Sequence, residues 1–340
     1  RYDRSSEVTE LEIQPEIKDN GRILSGEKII LTYVDENIKT LLIPSKASAI
    51  TPISGYQKSK LDSANLGDSL VFYDNMEGSK LTSFFEDGTL RSLRIDGMAK
   101  TLYHVFDDSI YQGKNNSSGD TVIMNFKNGD LDRLQVIGGA EGRYTPDSIA
   151  NDMDSPVIYN ADKIQYRLKE EETDFQGNAI IKHDKTNLTA GFITVNWETN
   201  ILDALPNLVG DTSNTPLMPV IKEEGRDPMS GDIMTYNLKN RRGKIIKGQT
   251  TADDGFYYGD QIRNESQKVF YIQNSTYTTC DLDTAHFHFE SKKMKIIQND
   301  IVVARPIILH IGQIPIFGIP LGLFPHKGGQ RHSGWIMPSY

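Results

Sequence analysis

The stretch Gly119-Asp-Thr-Val-Ile-Met-Asn-Phe126, followed by Lys127-Asn-Gly-Asp130, carries the pattern that decides the fold. Its side chains alternate with a period of two residues, as in a half-buried strand, and its Asn-Gly step is typical of a tight turn. Similar stretches recur along most of the 340 residues, and no segment of a dozen residues combines a helical apolar stripe with caps. The sequence therefore predicts an all-β protein.

An internal repeat predicts how the strands are organised. Each copy begins with Gly or Ala followed by Asp, and the copies begin at Gly67-Asp68, Gly119-Asp120, Ala161-Asp162 and Gly231-Asp232. A second element, Leu90 to Ala99, is matched 41 residues later by Leu131 to Ala140. A spacing that is kept this well is typical of stacked supersecondary units, so we expect an elongated β architecture.

Composition and motifs narrow the function classes. The net charge of −9 argues against a nucleic-acid partner, because binding to phosphates requires a concentrated basic surface. The apolar run Ile301 to Phe324 is interrupted by three prolines and is not expected to form a membrane-spanning helix. The sequence carries no nucleophile elbow, phosphate-binding glycine loop, dinucleotide fingerprint or zinc-protease helix, so we predict no enzyme activity and no cofactor.

One group of residues has the chemistry of a metal site. The group contains Cys280, Asp281, Asp283, His286 and His288 within nine residues. Thiolate and imidazole are zinc ligands, but His286 and His288 share one face of an alternating strand and no second ligand pair has a defined spacing. We therefore interpret the segment as a strand with its histidines outward, and we predict no metal.

The second half of the chain contains an ordered series of specific motifs. The series is Ser230-Gly-Asp-Ile-Met-Thr-Tyr-Asn237, Arg242-Gly243, Gly255-Phe-Tyr-Tyr-Gly259, Tyr277-Thr-Thr-Cys-Asp281, His286-Phe-His-Phe289, Val303-Ala-Arg-Pro306, Ile314-Pro-Ile-Phe-Gly-Ile-Pro320, Phe324-Pro325 and Arg331-His-Ser-Gly-Trp-Ile-Met-Pro338. This series resembles the outer-membrane lipopolysaccharide-assembly family LptD, also called OstA. The repeats between Asp62 and Ala204 resemble the related OstA/LptA-type β-repeat.

The resemblance implies an open β-jellyroll, a sheet folded over like a taco and built from OstA/LptA-type repeats. It divides the chain into an N-terminal β segment (1–61), OstA-type repeats (62–205), a loop excursion (206–228), an LptD-type jellyroll (229–325) and the start of an outer-membrane barrel (326–340). The barrel itself would follow Tyr340. The implied location is the periplasmic face of the outer membrane of a Gram-negative cell.

The resemblance also implies partners and two further sites. Partners would be lipopolysaccharide, a periplasmic bridge protein of LptA type, the chain's own C-terminal barrel and a plug lipoprotein of LptE type. Cys280 lies at the family's Thr-Cys position, so it is expected to form a disulfide with a cysteine beyond the barrel. Pro338 corresponds to a family proline in the first barrel strand and is the candidate for a gate through which the lipid leaves.

The groove implied for lipid binding needs an apolar lining. The candidates are Phe72, Met124, Phe126, Ile164, Tyr166 and Leu168, of which the last three alternate along one predicted strand. The residues alone leave a closed core and an open groove equally possible, and the resemblance favours the groove. Two other functions stay open, namely a structural β-repeat stalk and a β-helix enzyme that acts on polysaccharide through carboxylates.

Overall fold

A computed structural model describes residues 2–3, 7–19, 21–58, 66–128, 130–150, 153, 155–207, 216–252, 255–266, 268–282, 284–298 and 300–325. Every regular element in these ranges is a β-strand, so the all-β prediction is confirmed. None of these elements is a helix with the length and apolarity needed to cross a membrane.

The chain divides into two compact units. The first contains Arg1–Lys185 with Phe192–Thr199, and the second contains Thr186–Gly191 with Asn200–Tyr340. The strands of the first unit are β1 Tyr2–Asp3, β2 Val8–Glu12, β3 Glu16–Asp19, β4 Arg22–Ser25, β5 Lys28–Val34, β6 Asn37–Ile43, β7 Ala47–Lys58, β8 Leu66–Gly78, β9 Lys80–Glu86, β10 Thr89–Asp107, β11 Ile110–Lys127, β12 Asp130–Pro146, β13 Val157–Arg167 and β14 Glu172–His183.

Strand β15, Thr186–Asn196, contributes residues to both units. The strands of the second unit are β16 Ile201–Leu205, β17 Val220–Glu223, β18 Met229–Ser230, β19 Ile233–Asn237, β20 Gly243–Ala252, β21 Gly255–Ser266, β22 Val269–Thr278, β23 Phe287–Ile297, β24 Ile301–Arg305, β25 Ile307–Ile311, β26 Ile314–Ile319 and β27 Gly322–Pro325.

The first unit is one sheet folded over into two half-sheets. Half-sheet A contains β2, β5, β6, β9 and one part of each strand from β10 to β14. Half-sheet B contains β3, β4, β7, β8 and the other part of the same five long strands. Among the described residues of this unit the pairings are antiparallel, apart from one parallel bridge between Ile110 and Tyr56.

The long strands bend where they cross from one half-sheet to the other, and we call these points corners. The register shifts at each corner, between Asp96 and Ala99, Ser118 and Thr121, Ile137 and Ala140, and Asn160 and Lys163. A β-bulge of this kind bends a strand and increases its twist. Gly97, Gly138 and Gly177 occupy corners with φ of 81°, 80° and 73°, a region in which glycine is unstrained.

The repeated Gly/Ala-Asp step marks these corners. A Cβ atom on Gly138 would lie 2.3 Å from Oδ2 of Asp120, and one on Gly177 would lie 2.2 Å from Oδ2 of Asp162. In these two strand pairs the aspartate of one strand therefore fits against a glycine of the next. Gly67-Asp68 is different, because it lies near the start of β8 and not at a corner. The residues at the equivalent corner are Gly78 and Ser79, where the Ser79 amide donates to Gly97 O over 3.0 Å.

The small residue of the step lets the two half-sheets approach each other. A Cβ atom on Gly78 would lie 2.3 Å from a methyl of Ile95, and one on Gly119 would lie 2.7 Å from a methyl of Val136. A branched side chain from the neighbouring strand thus fills the space that a side chain at the glycine position would need. The interior of each corner is closed by this packing.

The second unit repeats the plan. Half-sheet C contains β16, β19, β24, β27 and one part of β20 to β23. Half-sheet D contains the start of β15, β17, β18, β25, β26 and the other part of β20 to β23. At its corners Asp232 pairs with Lys247 at 3.2 Å, and Asp260 accepts from Asn274 over 2.8 Å.

Two stretches differ locally from expectation. Strand β13 ends at Arg167, and the main chain turns at once because the Glu171 amide donates to Leu168 O over 3.4 Å. Leu168 therefore does not continue the alternation of Ile164 and Tyr166. Within the expected loop 206–228, β17 pairs with β15, so this part belongs to the sheet. The bounds of the five segments stay predictions.

We predict that Gly119→Ala destabilises the fold by about 1–3 kcal/mol, because the new methyl group would overlap with Val136. The measurement is the midpoint of urea unfolding. Gly318→Ala in β26 is the matched control, since a Cβ there would have 3.6 Å to its nearest atom, and its effect should stay within about 0.5 kcal/mol. Equal effects of the two substitutions would contradict the packing at the corner.

Candidate functional site

The interior of half-sheet A is built from two rows of side chains that run across the strands. Antiparallel register places each residue directly opposite the next. The first row is Ile43, Leu81, Ile95, Val122, Val136, Ile164 and Phe175, and the second is Leu31, Leu41, Ser83, Leu93, Met124, Leu134, Tyr166 and Thr173. All of them are buried. With neighbouring strands about 4.8 Å apart, the first row is about 30 Å long.

The predicted lining residues fall into different surroundings. Ile164 belongs to the first row, and Met124 and Tyr166 belong to the second. Phe126 lies farther along β11 and is half-buried. The other two residues, Phe72 and Leu168, are not in the rows.

Phe72 belongs to a separate aromatic cluster. Its ring lies 4.9 Å from the ring of His104, 5.5 Å from that of Phe106 and 4.7 Å from that of Tyr111, between centroids. Leu168 lies in the turn after β13 and is 36% exposed. The structure thus brings three of the six predicted residues together on one buried face.

A cluster of hydroxyl and amide groups joins the two half-sheets across this interior. The Tyr166 hydroxyl of half-sheet A lies 2.9 Å from Ser117 Oγ and 2.9 Å from the Tyr159 hydroxyl, both of half-sheet B. Asn115 Nδ2 donates to the hydroxyls of Tyr103 at 3.1 Å and Tyr166 at 3.4 Å, and its Oδ1 accepts from Tyr159. The half-sheets are therefore in contact at this level of the fold.

Burial changes the acidity of these phenols. Removal from water raises the pKa of Tyr103, of Tyr159 and of Tyr166, because the phenolate loses its hydration. The neighbouring tyrosines raise the pKa of Tyr103 and Tyr159 further, while the Ser117 hydrogen bond acts against the shift for Tyr159 and Tyr166. The cluster is therefore neutral at physiological pH.

The second unit has an apolar row of its own. The row in half-sheet C is Ala204, Met234, Ile245, Ile262, Ile272, Met294 and Ala304, one residue from each of seven strands. All of these residues are buried. The same kind of interior thus occurs in both units.

In half-sheet D an aromatic row leads from the interior to the surface. Tyr257, Tyr277, Phe289, Leu309 and Phe317 lie opposite one another on five strands. The first two rings are 4.6 Å apart, between centroids. Exposure is 8% at the first residue and 55% at the last. The apolar surface therefore becomes accessible at β26.

Five further apolar side chains on or beside β26 are exposed to solvent. They are Ile311, Ile314, Ile316, Leu321 and Leu323. The sequence pattern indicated the prolines of this segment but not the exposure of its apolar residues. Pro338 lies outside the described residues, so its role as a gate stays a prediction.

The group of residues with the chemistry of a metal site is divided in the structure. The Sγ atom of Cys280 lies 3.7 Å from Nδ1 of His286, whereas His288 is near Glu290 and His310. Asp283 lies outside the described residues. Cys280 is a free thiol here and is the only cysteine of the sequence. The long-range disulfide that the resemblance implies stays a prediction.

Comparisons with known proteins confirm the resemblance to the lipopolysaccharide-assembly class. No family model matches the chain. Three curated relatives carry the name LPS-assembly protein LptD. The one from Cupriavidus metallidurans is 20% identical over 204 residues, which are 58% of this chain and 22% of the relative.

The other two relatives match shorter stretches. The protein from Cupriavidus pinatubonensis is 33% identical over 70 residues, 20% of this chain and 8% of the relative. The protein from Shewanella oneidensis is 22% identical over 177 residues, 49% and 20% of the two chains. The chain thus spans less than a quarter of the length of these relatives.

Among solved structures, the chain is similar to LptH of Pseudomonas aeruginosa, described as the LptA homologous periplasmic component of a lipopolysaccharide transport device. The sequence identity is 13% and the TM-score is 0.35. The match covers 44% of this chain and 94% of LptH.

We predict that Tyr166→Phe lowers the free energy of unfolding by about 1–3 kcal/mol, because it leaves buried groups of Ser117 and Asn115 with fewer hydrogen-bond partners. Urea unfolding measures the loss. Tyr258→Phe, at a tyrosine that is 44% exposed, should change stability by less than about 0.5 kcal/mol. If the two variants have the same stability, the cluster does not hold the half-sheets together.

Stability should also fall in alkaline solution. An unfolded tyrosine ionises near pH 10, whereas the buried tyrosines of the cluster keep their protons to higher pH because their folded pKa is raised. This contribution to stability is fully present below about pH 10 and is lost as the pH rises above it. Thermal unfolding between about pH 9 and pH 11, followed with phenolate absorbance, tests this. Ionisation of all tyrosines near pH 10 without unfolding would contradict it.

Proposed function

We propose that this chain is a lipid-binding part of a lipopolysaccharide-assembly protein at the periplasmic face of the outer membrane, and that it has no catalytic role. The observation that carries the proposal is the pair of folded-over sheets, each with an apolar row that crosses seven strands. The curated relatives named LPS-assembly protein supply the ligand class.

The physical requirement is a continuous apolar surface. Exposing an acyl chain to water costs about 0.8 kcal/mol per CH₂, so a lipid that crosses an aqueous compartment needs a lined path. A row of side chains perpendicular to the strands provides such a path, because it continues from strand to strand without interruption by the backbone. We propose that acyl chains lie along these rows and that the sugar head group stays in water.

The two units differ in how readily an acyl chain could enter. In the first unit the hydrogen bonds of Tyr166 hold the half-sheets together, so an acyl chain requires the half-sheets to separate there. In the second unit the aromatic row ends at the exposed Phe317. We therefore propose that the end of half-sheet D near β26 is where acyl chains pass to the barrel that the resemblance implies.

The sheet edges offer sites for the protein partners that the resemblance implies. Strand β3 pairs with β4 on one side, and no pairing on its other side occurs within the described residues. An unpaired edge can add a strand from another protein through main-chain hydrogen bonds. We propose that a bridge protein of LptA type binds at this edge. A plug of LptE type would bind to the barrel instead.

One observation favours a second candidate, a structural stalk. The hydroxyl cluster and the fully buried Ile164 are what a permanently closed core would have. A stalk would carry no lipid, whereas the proposed transporter would. The rival enzyme would need a cluster of acidic residues that recurs on one face, and the repeat supplies one aspartate per copy and not a cluster.

We predict that a photo-crosslinking residue at Phe289 or Tyr166 captures lipopolysaccharide in cells that make the full-length protein. The same residue at the neighbouring Glu290 or Gln165 should not, because period two places these side chains on the outer face. Adducts are detected by immunoblotting for lipopolysaccharide. Equal capture on both faces would contradict an internal path, and capture at none of the four positions would favour the stalk.

A further inference from the structure

Three ionisable side chains meet on two neighbouring strands of half-sheet D. His288 and Glu290 lie on β23, two residues apart and so on the same face. His310 lies on β25 directly opposite His288. The two imidazole rings are parallel within 4° and their centroids are 4.8 Å apart.

The carboxylate of Glu290 lies near one nitrogen of each imidazole. Its Oε1 is 3.4 Å from Nε2 of His288, and its Oε2 is 3.9 Å from Nε2 of His310. One nitrogen from each ring and one carboxylate oxygen lie within 4.8 Å of one another. The His288–Glu290 contact is a long hydrogen bond, and the His310–Glu290 separation is beyond hydrogen-bond distance.

The donor set is that of a zinc-class ion. Imidazole nitrogen and carboxylate oxygen bind Zn²⁺ at about 2.0–2.2 Å, and three protein ligands with water in the remaining position form a common zinc site. Ligand atoms around a tetrahedral ion at that distance are about 3.3 Å apart. Binding requires the two stacked rings to rotate out of parallel, because an ion lies in the plane of each imidazole that binds it.

Burial keeps the imidazoles in place. The side chains of His288 and His310 are 18% and 12% exposed, whereas that of Glu290 is 50% exposed, so the site is open on one side. Nδ1 of His310 is buried and has no hydrogen-bond partner within the described part of the chain. A buried polar nitrogen without a partner costs free energy, and Nε2 is the nitrogen that faces the carboxylate.

We propose that His288, Glu290 and His310 form a binding site for a divalent transition metal of the zinc class, completed by water. The site joins β23 to β25, which in turn pairs with the exposed strand β26. Metal binding would therefore fix the outer part of half-sheet D. The site lies on the opposite face of β23 from Phe289, so a bound ion would not contact the aromatic row.

A neighbouring pair of side chains is the alternative binding site for the same ion. Cys280 and His286, 3.7 Å apart, contain the other soft ligands of the segment. They offer two ligands, and His286 is exposed. We assign the ion to the three-ligand cluster, and substitution distinguishes the two possibilities.

The test uses the untagged full-length protein, treated with a chelator and titrated with Zn²⁺ by calorimetry near pH 7.5. We expect one ion per chain at this site. His310→Gln, His288→Gln and Glu290→Gln should each weaken binding at least tenfold, while His286→Gln and Cys280→Ser should change it less than threefold. Undiminished binding in His310→Gln, or loss of binding in Cys280→Ser, would overturn the assignment.

A second measurement separates binding from folding. Zn²⁺ should raise the unfolding temperature of the native protein, because an ion that binds the folded state stabilises it, and should not raise that of His310→Gln. If His310→Gln fails to fold without metal, Glu290→Gln replaces it in this measurement, because the Glu290 side chain is half-exposed. If Zn²⁺ stabilises Glu290→Gln as much as the native protein, the three residues form only an ion pair and the proposal is wrong.

Discussion

The structure depends on the packing at the corners, where each long strand passes from one half-sheet to the other. A small residue such as Gly78 or Gly119 faces a branched side chain, Ile95 or Val136, of the next strand. On the neighbouring strand a glycine with positive φ supplies the bend, as at Gly97 and Gly138. Because every strand bends at the same level, the residues on either side of the corners align into rows.

Those rows connect the fold to the proposed function. Alignment across strands produces apolar surface along the direction in which strands are added, so each added strand lengthens the interior by about 4.8 Å. The same interior contains the polar groups of Tyr166, Ser117 and Asn115, which hydrogen-bond across the half-sheets. These bonds offset the cost of burying the polar groups, and they also set how much free energy is needed to open the first unit.

Strand β23 shows how one strand serves two purposes. Period two directs Phe289 to the aromatic row and His288 with Glu290 to the outer face. An ion bound outside would fix the strand pairing on which the inner row depends. The lipid path and the metal site would then be coupled through the position of β25.

The sequence by itself determined the all-β class, because alternation is a local property that each strand carries alone. It also determined the repeat and the resemblance to the LptD family, although Gly67-Asp68 follows the repeat without forming a corner. Only the tertiary structure decided which residues meet. Leu168 leaves the row because the chain turns after Arg167, and His310 reaches His288 because β25 pairs with β23 in one particular register. Register depends on the packing of the whole sheet, which no local pattern contains.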